Sequence, residues 1–329
     1  MKRHPMPLLQ PLAIALALGA LMALAGSASA QDYPTKPIRF VVPVPAGAGP
    51  DADVRQMSPR LSALLGQPVV IENRPGAAGR IATETVVRAP ADGYTFLVGT
   101  PTAIITGPML YSGLPYDAKT DLAPVSLIST TAYALTVNAS VPAKTAAEFV
   151  ALARSDKAWA NAGTLGVGAA THLAGEWFSH LTKADLKFIH YNTSTPYNDL
   201  ISGQINAIFE AVLPVFGNVK SGRLRVLAIS GKARYPQLPD VPTFIEAGYA
   251  AYDPLVWIGL LAPTGTSQAI IVRMSSTIAQ VARTPDIVAQ RRDAFSDSVG
   301  STPAEFGTFL DGERDKWGAV IRQAGVKIE

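Results

Sequence analysis

The apolar and polar positions follow a repeating order. Residues 38–44, IRFVVPV, form an apolar run that predicts a buried strand. Pro45, Gly47, Gly49 and Pro50 then interrupt the run. From Asp51 the apolar residues return at helical spacing, as Val54, Met57, Leu61, Leu64 and Leu65, which predicts a helix over 50–65. The same alternation gives strands at 68–72 and 95–100, with a Gly-rich loop, NRPGAAGR, leading into a helix over 81–88. After 100 comes a short helix or loop. Residues 123–138 are extended and long, and a capped helix follows within 140–155. The alternation then restarts, with strands at 163–168, 186–191, 205–211 and 224–230. Helices are predicted over 170–183, opening within 194–203, and ending near Gly222. Residues 236–248 read as a loop and short helix, 253–263 as a second long extended segment, and 266–325 as mostly helical.

Apolar strands alternating with helices predict a parallel sheet covered on both faces. Two such sets, separated by the two extended segments, predict an α/β fold of two doubly wound domains. Domain 1 is residues 31–130 plus 258–329, and domain 2 is residues 131–257. Two crossing strands form a hinge, so motion is closure over a cleft between the domains.

Residues 1–30 stand apart from this pattern. Lys2 and Arg3 precede an apolar segment over 8–24, and Ala28-Ser29-Ala30 supplies the small residues of a cleavage site. This predicts a signal peptide cleaved after Ala30 and a periplasmic protein. The alternative is an N-terminal membrane anchor, which the short apolar core disfavours. Charge adds little. Of 28 Lys and Arg against 25 Asp and Glu, two of the cations lie in this leader, and the near-neutral remainder does not predict a nucleic-acid partner. There is no cysteine, which excludes thiol catalysis, cysteine zinc sites and iron–sulfur clusters.

Candidate chemistry lies where strands run into helices, because helix N-termini expose unpaired N–H groups and a positive dipole end. The first such loop is Pro45, Ala46, Gly47, Ala48, Gly49, Pro50 and Asp51. It is not a P-loop, and it matches the dinucleotide pattern only in outline, with Pro50 and Asp51 where a pyrophosphate needs room. The second is Thr193, Ser194 and Thr195, whose hydroxyls are also ordinary N-caps. A third is the loop over 166–172. Together they predict carboxylate capture by backbone amides and hydroxyls. His172, Glu176 and His180 share one helix face at i, i+4, i+8, a spacing that suits a metal but equally a surface trio. No cofactor is expected.

The stretches YPTKPIRFVVPVPAGAGPDADVR, LGQPVVIENRPGAAG, APADGYTFLVGT, LPDVPTFIEAG and WIGLLAPTGT resemble, in order, the Bug (Bordetella uptake gene) family of solute-binding proteins of tripartite tricarboxylate transporters. The resemblance covers essentially the whole chain after the leader. It implies a periplasmic-binding-protein-like (type II) fold, a small organic carboxylate ligand (di- or tricarboxylate or aromatic acid), and membrane transporter subunits as partners. It also implies a monomeric, non-enzymatic protein. By position it carries over Pro45, Ala46, Gly47, Ala48, Gly49, Asp51 and Thr100 in domain 1. In domain 2 it carries over Gly168, Ala169, Ala170, Thr171, Thr193, Ser194, Thr195 and Glu210.

The chain departs from the family pattern at several points. Ala46, Ala48 and Pro50 thin the glycine run, and Tyr191-Asn192-Thr193 replaces a Tyr-Lys-Gly. The segment after Pro196 is one residue short, and Glu210 stands where Asp is common. Two other functions remain open from the residues themselves. One is an exported hydrolase or metal-dependent enzyme using His172 and Glu176; the other is a ligand-binding partner of a membrane sensor kinase.

Overall fold

In a computed structural model of the chain, residues 33–191 and 196–326 are described. The leader over 1–30, and with it the expected cleavage after Ala30, lies outside them, as do Thr193, Ser194 and Thr195. No helix among the described residues is long and apolar enough to cross a membrane.

The first strand, β1 (Ile38–Val42), pairs in parallel with β2 (Val69–Asn73) and β3 (Thr95–Gly99). Between β1 and β2 runs helix α1 (Gly49–Leu65), which buries Val54, Met57, Leu61 and Leu65 against the sheet. Leu64, predicted on that face, is exposed, because it stands about 100° round the helix from Leu65. Pro59 sits inside this helix and cannot donate to the Arg55 carbonyl; Ser58 Oγ donates to that oxygen instead.

The loop after β2 makes a 3₁₀ turn over Ala77–Gly79 before α2 (Arg80–Val87). Gly76, Ala77, Ala78 and Gly79 all have positive φ. Gly79 is required by space as well, since a Cβ there stands 2.7 Å from Ala103 Cβ and 3.3 Å from Pro43 Cβ. This close approach sets Ala78 beside the segment after β3. That segment, expected as short helix or loop, is a π-helical turn over Thr102–Thr106 continuing into α3 (Gly107–Leu110).

Strand β4 (Leu122–Asn138) is 17 residues long and belongs to two sheets. From Leu122 to Ala132 it pairs antiparallel with β9 (Leu255–Pro263), which in turn pairs with β3. From Tyr133 onward its neighbours are β7 (Ala207–Ala211) and β8 (Leu224–Ile229). The second sheet continues from β7 to β5 (Asn161–Thr164) and β6 (Lys187–His190), all parallel. The strand order is therefore β2-β1-β3-β9-β4-β7-β5-β6, a mixed α/β arrangement in which one strand serves both halves.

Helix α4 (Ala146–Ser155) is capped by Thr145, α5 (Ala170–Thr182) follows β5, α6 (Tyr197–Ser202) precedes β7, and α7 (Phe216–Lys220) precedes β8. Residues 236–248 form turns; the expected short helix is absent. Three prolines punctuate this stretch, Pro236, Pro239 and Pro242, and Glu246 accepts from the backbone of Thr243 instead of extending a helical ladder. The C-terminal part holds α8 (Gln268–Ala282), α9 (Pro285–Asp293) and α10 (Pro303–Ala324). It also holds a short strand, β10 (Ser296–Ser298), pairing with β4, which the helical reading missed because three residues are too few to show a period.

The halves are in contact away from the sheet. Trp177 on α5 meets Trp317 on α10 edge to face at 5.9 Å and meets Tyr252 at 5.1 Å. Buried Glu313 accepts from the indoles of Trp257 (3.1 Å) and Trp317 (2.9 Å) and from Lys316 Nζ (2.6 Å). The described residues from Lys36 to Val326 belong to one compact unit.

Candidate functional site

The loop before α1 is shaped by one buried carboxylate. Asp51 is fully buried, and its oxygens accept from Gly47 N–H (2.8 Å), Asn73 Nδ2 (2.8 Å) and Arg55 Nε (2.8 and 2.9 Å). Asn73 also donates to the Val44 carbonyl at 3.0 Å, so the end of β2 is tied to the same loop. Burial pushes the Asp51 carboxyl up, but the bonds from Arg55, Gly47 and Asn73 outweigh it and hold it below its usual range. Asp51 is therefore turned inward and occupied. Gly47 has φ +85°, and a Cβ there meets nothing within 4 Å, so backbone conformation rather than space requires glycine. The amide of Gly47 goes to Asp51, that of Ala48 to the Pro45 carbonyl, and Pro50 has none. Among the described residues, Gly49 and Asp51 N–H are the ones left without a partner at this end of α1. Pro45, Ala46, Gly47 and Gly49 are exposed at the surface, and Ala48 is half-buried.

Thr100, half-buried after β3, accepts from Ala103 N–H through its hydroxyl (3.3 Å) and from Ile104 N–H through its carbonyl (3.1 Å). It starts the π-helical turn.

The loop before α5 is held differently. Thr171 Oγ1 accepts from Leu165 N–H at 3.0 Å, and the Ala169 amide goes to the Gly166 carbonyl. His172 Nδ1 accepts from Gly168 N–H at 3.0 Å, which places the proton of a neutral ring on Nε2, facing Glu176 Oε1 at 3.3 Å. The His172 ring is buried, with Phe188 and His190 at its edges. Its helix-mate His180 is exposed, and among the described residues no three His, Cys, Asp or Glu gather closely enough to hold a metal ion. The N-cap of α5 is Ala169, which offers no capping side chain. Ala170, Thr171 and His172 N–H accordingly have no hydrogen-bond partner among the described residues.

Glu210 is the last residue but one of β7 and lies opposite Ala134 of β4. Its Oε1 accepts from Ala211 N–H at 3.0 Å, whereas its buried Oε2 has no partner among the described residues. Burial pushes this carboxyl up to about 7, against a smaller downward pull from the Ala211 bond. The phenols of Tyr133 and Tyr197 are pushed up by burial and, secondarily, by facing Glu210.

A cavity of about 190 Å³ brings two of these regions together. One wall is Val167, Gly168 and Ala169, at the start of α5. The other comes from the first half of the fold: Ala78, Thr102, Gly107, Leu110 and Tyr111. Gly168 and Ala169 are thus brought to a cleft. Loop residues 45–51, Thr100, Ala170, Thr171 and Glu210 are not among its lining. Sequence reasoning missed the Ala78, Thr102 and Tyr111 wall. The available signal was the NRPGAAGR loop, which resembled a connection rather than a wall. A larger opening, about 410 Å³, lies where the crossing strands meet Ser230, Lys232, Arg234, Arg292 and Asp297. Cations and carboxylates are mixed there, and Arg234 is already paired with Glu246, so no single sign of ligand is favoured.

Residues 54–326 match the family model described as the tripartite tricarboxylate transporter family receptor, TctC. BugT of Bordetella pertussis is 32% identical over 317 residues, covering 95% of this chain and 97% of that protein. Among solved structures, adipate-bound Rpa4515 of R. palustris is 30% identical with a TM-score of 0.78, covering 90% of this chain and 99% of that one. Malate-bound MatC of Rhodopseudomonas palustris is 25% identical with a TM-score of 0.73, covering 88% and 100%. The architecture is thus that of the type II periplasmic binding proteins, and the chain belongs to the tripartite tricarboxylate transporter receptor family.

Proposed function

We propose that this protein captures a small organic carboxylate in the periplasm and delivers it to the membrane subunits of a tripartite tricarboxylate transporter. The observation that carries this is the cavity between the two halves, one wall of which is Val167, Gly168 and Ala169, the loop and N-cap that lead into α5, whose next amides, Ala170, Thr171 and His172, have no partner among the described residues. Such a turn stabilises a carboxylate by directed N–H bonds and by the helix dipole, with no need of Lys or Arg. Adipate and malate in the related structures support a carboxylate as the ligand class. The family is one of receptors, and His172, buried with both ring nitrogens engaged, serves to hold the loop; this favours binding over catalysis.

Residues 31–130 with 258–329, and 131–257, act in this reading as two lobes closing about the crossing near residues 130 and 257. The change of β4's neighbours between Ala132 and Tyr133 supports that division. The first loop, residues 45–51, supplies the Gly49 and Asp51 amides on closure. Thr100, Glu210, Thr193, Ser194 and Thr195 are further ligand contacts in this reading. The leader over 1–30 is removed after Ala30, and the protein works as a monomer.

A thermal-shift screen of mono-, di- and aromatic carboxylates tests the reading. A ligand at 100 times its Kd adds about 2.7 kcal/mol of stability. No shift with any carboxylate, at millimolar concentration, refutes it.

A further inference from the structure

The inter-lobe cavity carries a statement about ligand chemistry that goes past the carboxylate itself. Among the described residues, none of its lining side chains bears a charge. Leu110 and Val167 give aliphatic surface, Tyr111 gives an aromatic face, and Ala78 and Ala169 give methyl groups. Thr102 and the Tyr111 hydroxyl are the polar side-chain groups of this lining. Val167 is 48% exposed, although a valine in a loop more commonly turns inward. It is one of the residues that line the cavity. Arg80, behind this wall, stands 4.8 Å from the centre of the Tyr111 ring and donates through Nε to the Ala77 carbonyl at 3.2 Å; it is not among the lining. At about 190 Å³ the cavity is below the roughly 300 Å³ at which pockets for drug-sized molecules begin.

We infer that this cavity selects acids whose body between or beyond the carboxylates is hydrocarbon, aliphatic or aromatic, and rejects hydroxylated and aminated acids of the same length. The inference rests on the reading of this cavity as the carboxylate site. The physical reason is desolvation. An α-ammonium placed against Leu110, Tyr111 and Val167 loses water and gains no anion from the lining. A row of hydroxyls exceeds what Thr102 and the Tyr111 hydroxyl can pair. A methylene or aromatic body loses nothing there and removes apolar surface from water.

Titration calorimetry on the mature chain, residues 31–329, tests this with acids matched in carbon skeleton. The sets are succinate, malate and aspartate; adipate, 2-aminoadipate and galactarate; and benzoate with 3,4,5-trihydroxybenzoate. Within whichever set binds, the hydrocarbon-bodied member is expected to bind at least about tenfold more tightly than its hydroxylated or aminated counterparts. Val167→Asn, at an exposed position that tolerates the change, is expected to cut that ratio to about threefold or less, with the circular dichroism spectrum unchanged. Equal or tighter binding of the hydroxylated or aminated member overturns the inference and leaves carboxylate capture standing. An unchanged ratio in Val167→Asn also overturns it. Binding of no acid in any set overturns both.

Discussion

The starts of α1 and α5 look alike in sequence, each a strand running through glycine and small residues into an uncapped helix, yet they are fastened in opposite ways. At α1 the protein supplies its own anion: the Asp51 carboxylate takes the Gly47 amide, Asn73 and Arg55. At α5 a neutral acceptor, His172 Nδ1, takes the Gly168 amide, and Thr171 takes Leu165. An internal carboxylate close to a helix N-terminus uses up part of the field that would attract an external one. A neutral ring leaves that field intact. The difference teaches that a glycine loop at a helix start is not by itself an anion site. What fastens the loop decides how much of the terminus remains for a ligand.

The contrast can be broken most sharply at Asp51. Asp51→Ala leaves the Gly47 amide, Asn73 and Arg55 without their acceptor. It is expected to cost roughly 2–4 kcal/mol, below the full cost of a buried pair because Arg55 is 48% exposed. Urea unfolding measures this, and a loss under 0.5 kcal/mol contradicts the fastening role. The same carboxyl gives a pH test. Its pKa in the folded state is below its unfolded value, so its contribution is complete above the unfolded value of 3.8 and is lost as pH falls through the folded one. Acid unfolding of Asp51→Asn should be correspondingly less steep below pH 4.

Glu210 carries the opposite sign. Its folded pKa of about 7 lies above the ordinary 4.5, so its contribution is complete below 4.5 and is lost as pH rises toward 7. Glu210→Gln is expected to stabilise the protein by roughly 1–3 kcal/mol at pH 8 and by little at pH 4, read as the difference in urea midpoints. Equal effects at the two pH values would show that Glu210 does not titrate in this range.

His172→Ala removes the acceptor for Gly168 and leaves a small cavity beside Phe188. A loss of about 1–2 kcal/mol is expected, together with about tenfold weaker ligand binding, because the cavity-facing loop is freed. Retained affinity in calorimetry would show that the loop holds its shape unaided. The smallest effect belongs to His180→Ala. That side chain is exposed, and the change should stay within about 0.5 kcal/mol and leave affinity unaltered.

Much of this was legible along the chain. Apolar runs marked β1, β3 and β4, and the spacing of Val54, Met57 and Leu61 marked the buried face of α1. Asn73, at the end of β2, gave no sign that it ties Asp51 to Val44, because side-chain hydrogen bonds between distant residues leave no period in a sequence. Asp51, a ligand candidate by position, proves to be occupied within the protein. The Ala78, Thr102 and Tyr111 wall was invisible for a further reason: its residues are chemically ordinary, and only their juxtaposition with Val167 and Gly168 makes a cleft.

Most of the alternation of strands and helices, the two long extended segments and the family could be read from the sequence, because these depend on periodicity and on motifs contiguous along the chain; β10 and the turns over 236–248 could not. The tertiary structure alone decided which amides are free and which are taken, that β4 changes partners at Tyr133, and which side chains share a cavity. Those are properties of distances between residues far apart in the chain, and a distance of 3 Å across the fold is fixed only when every intervening element has packed.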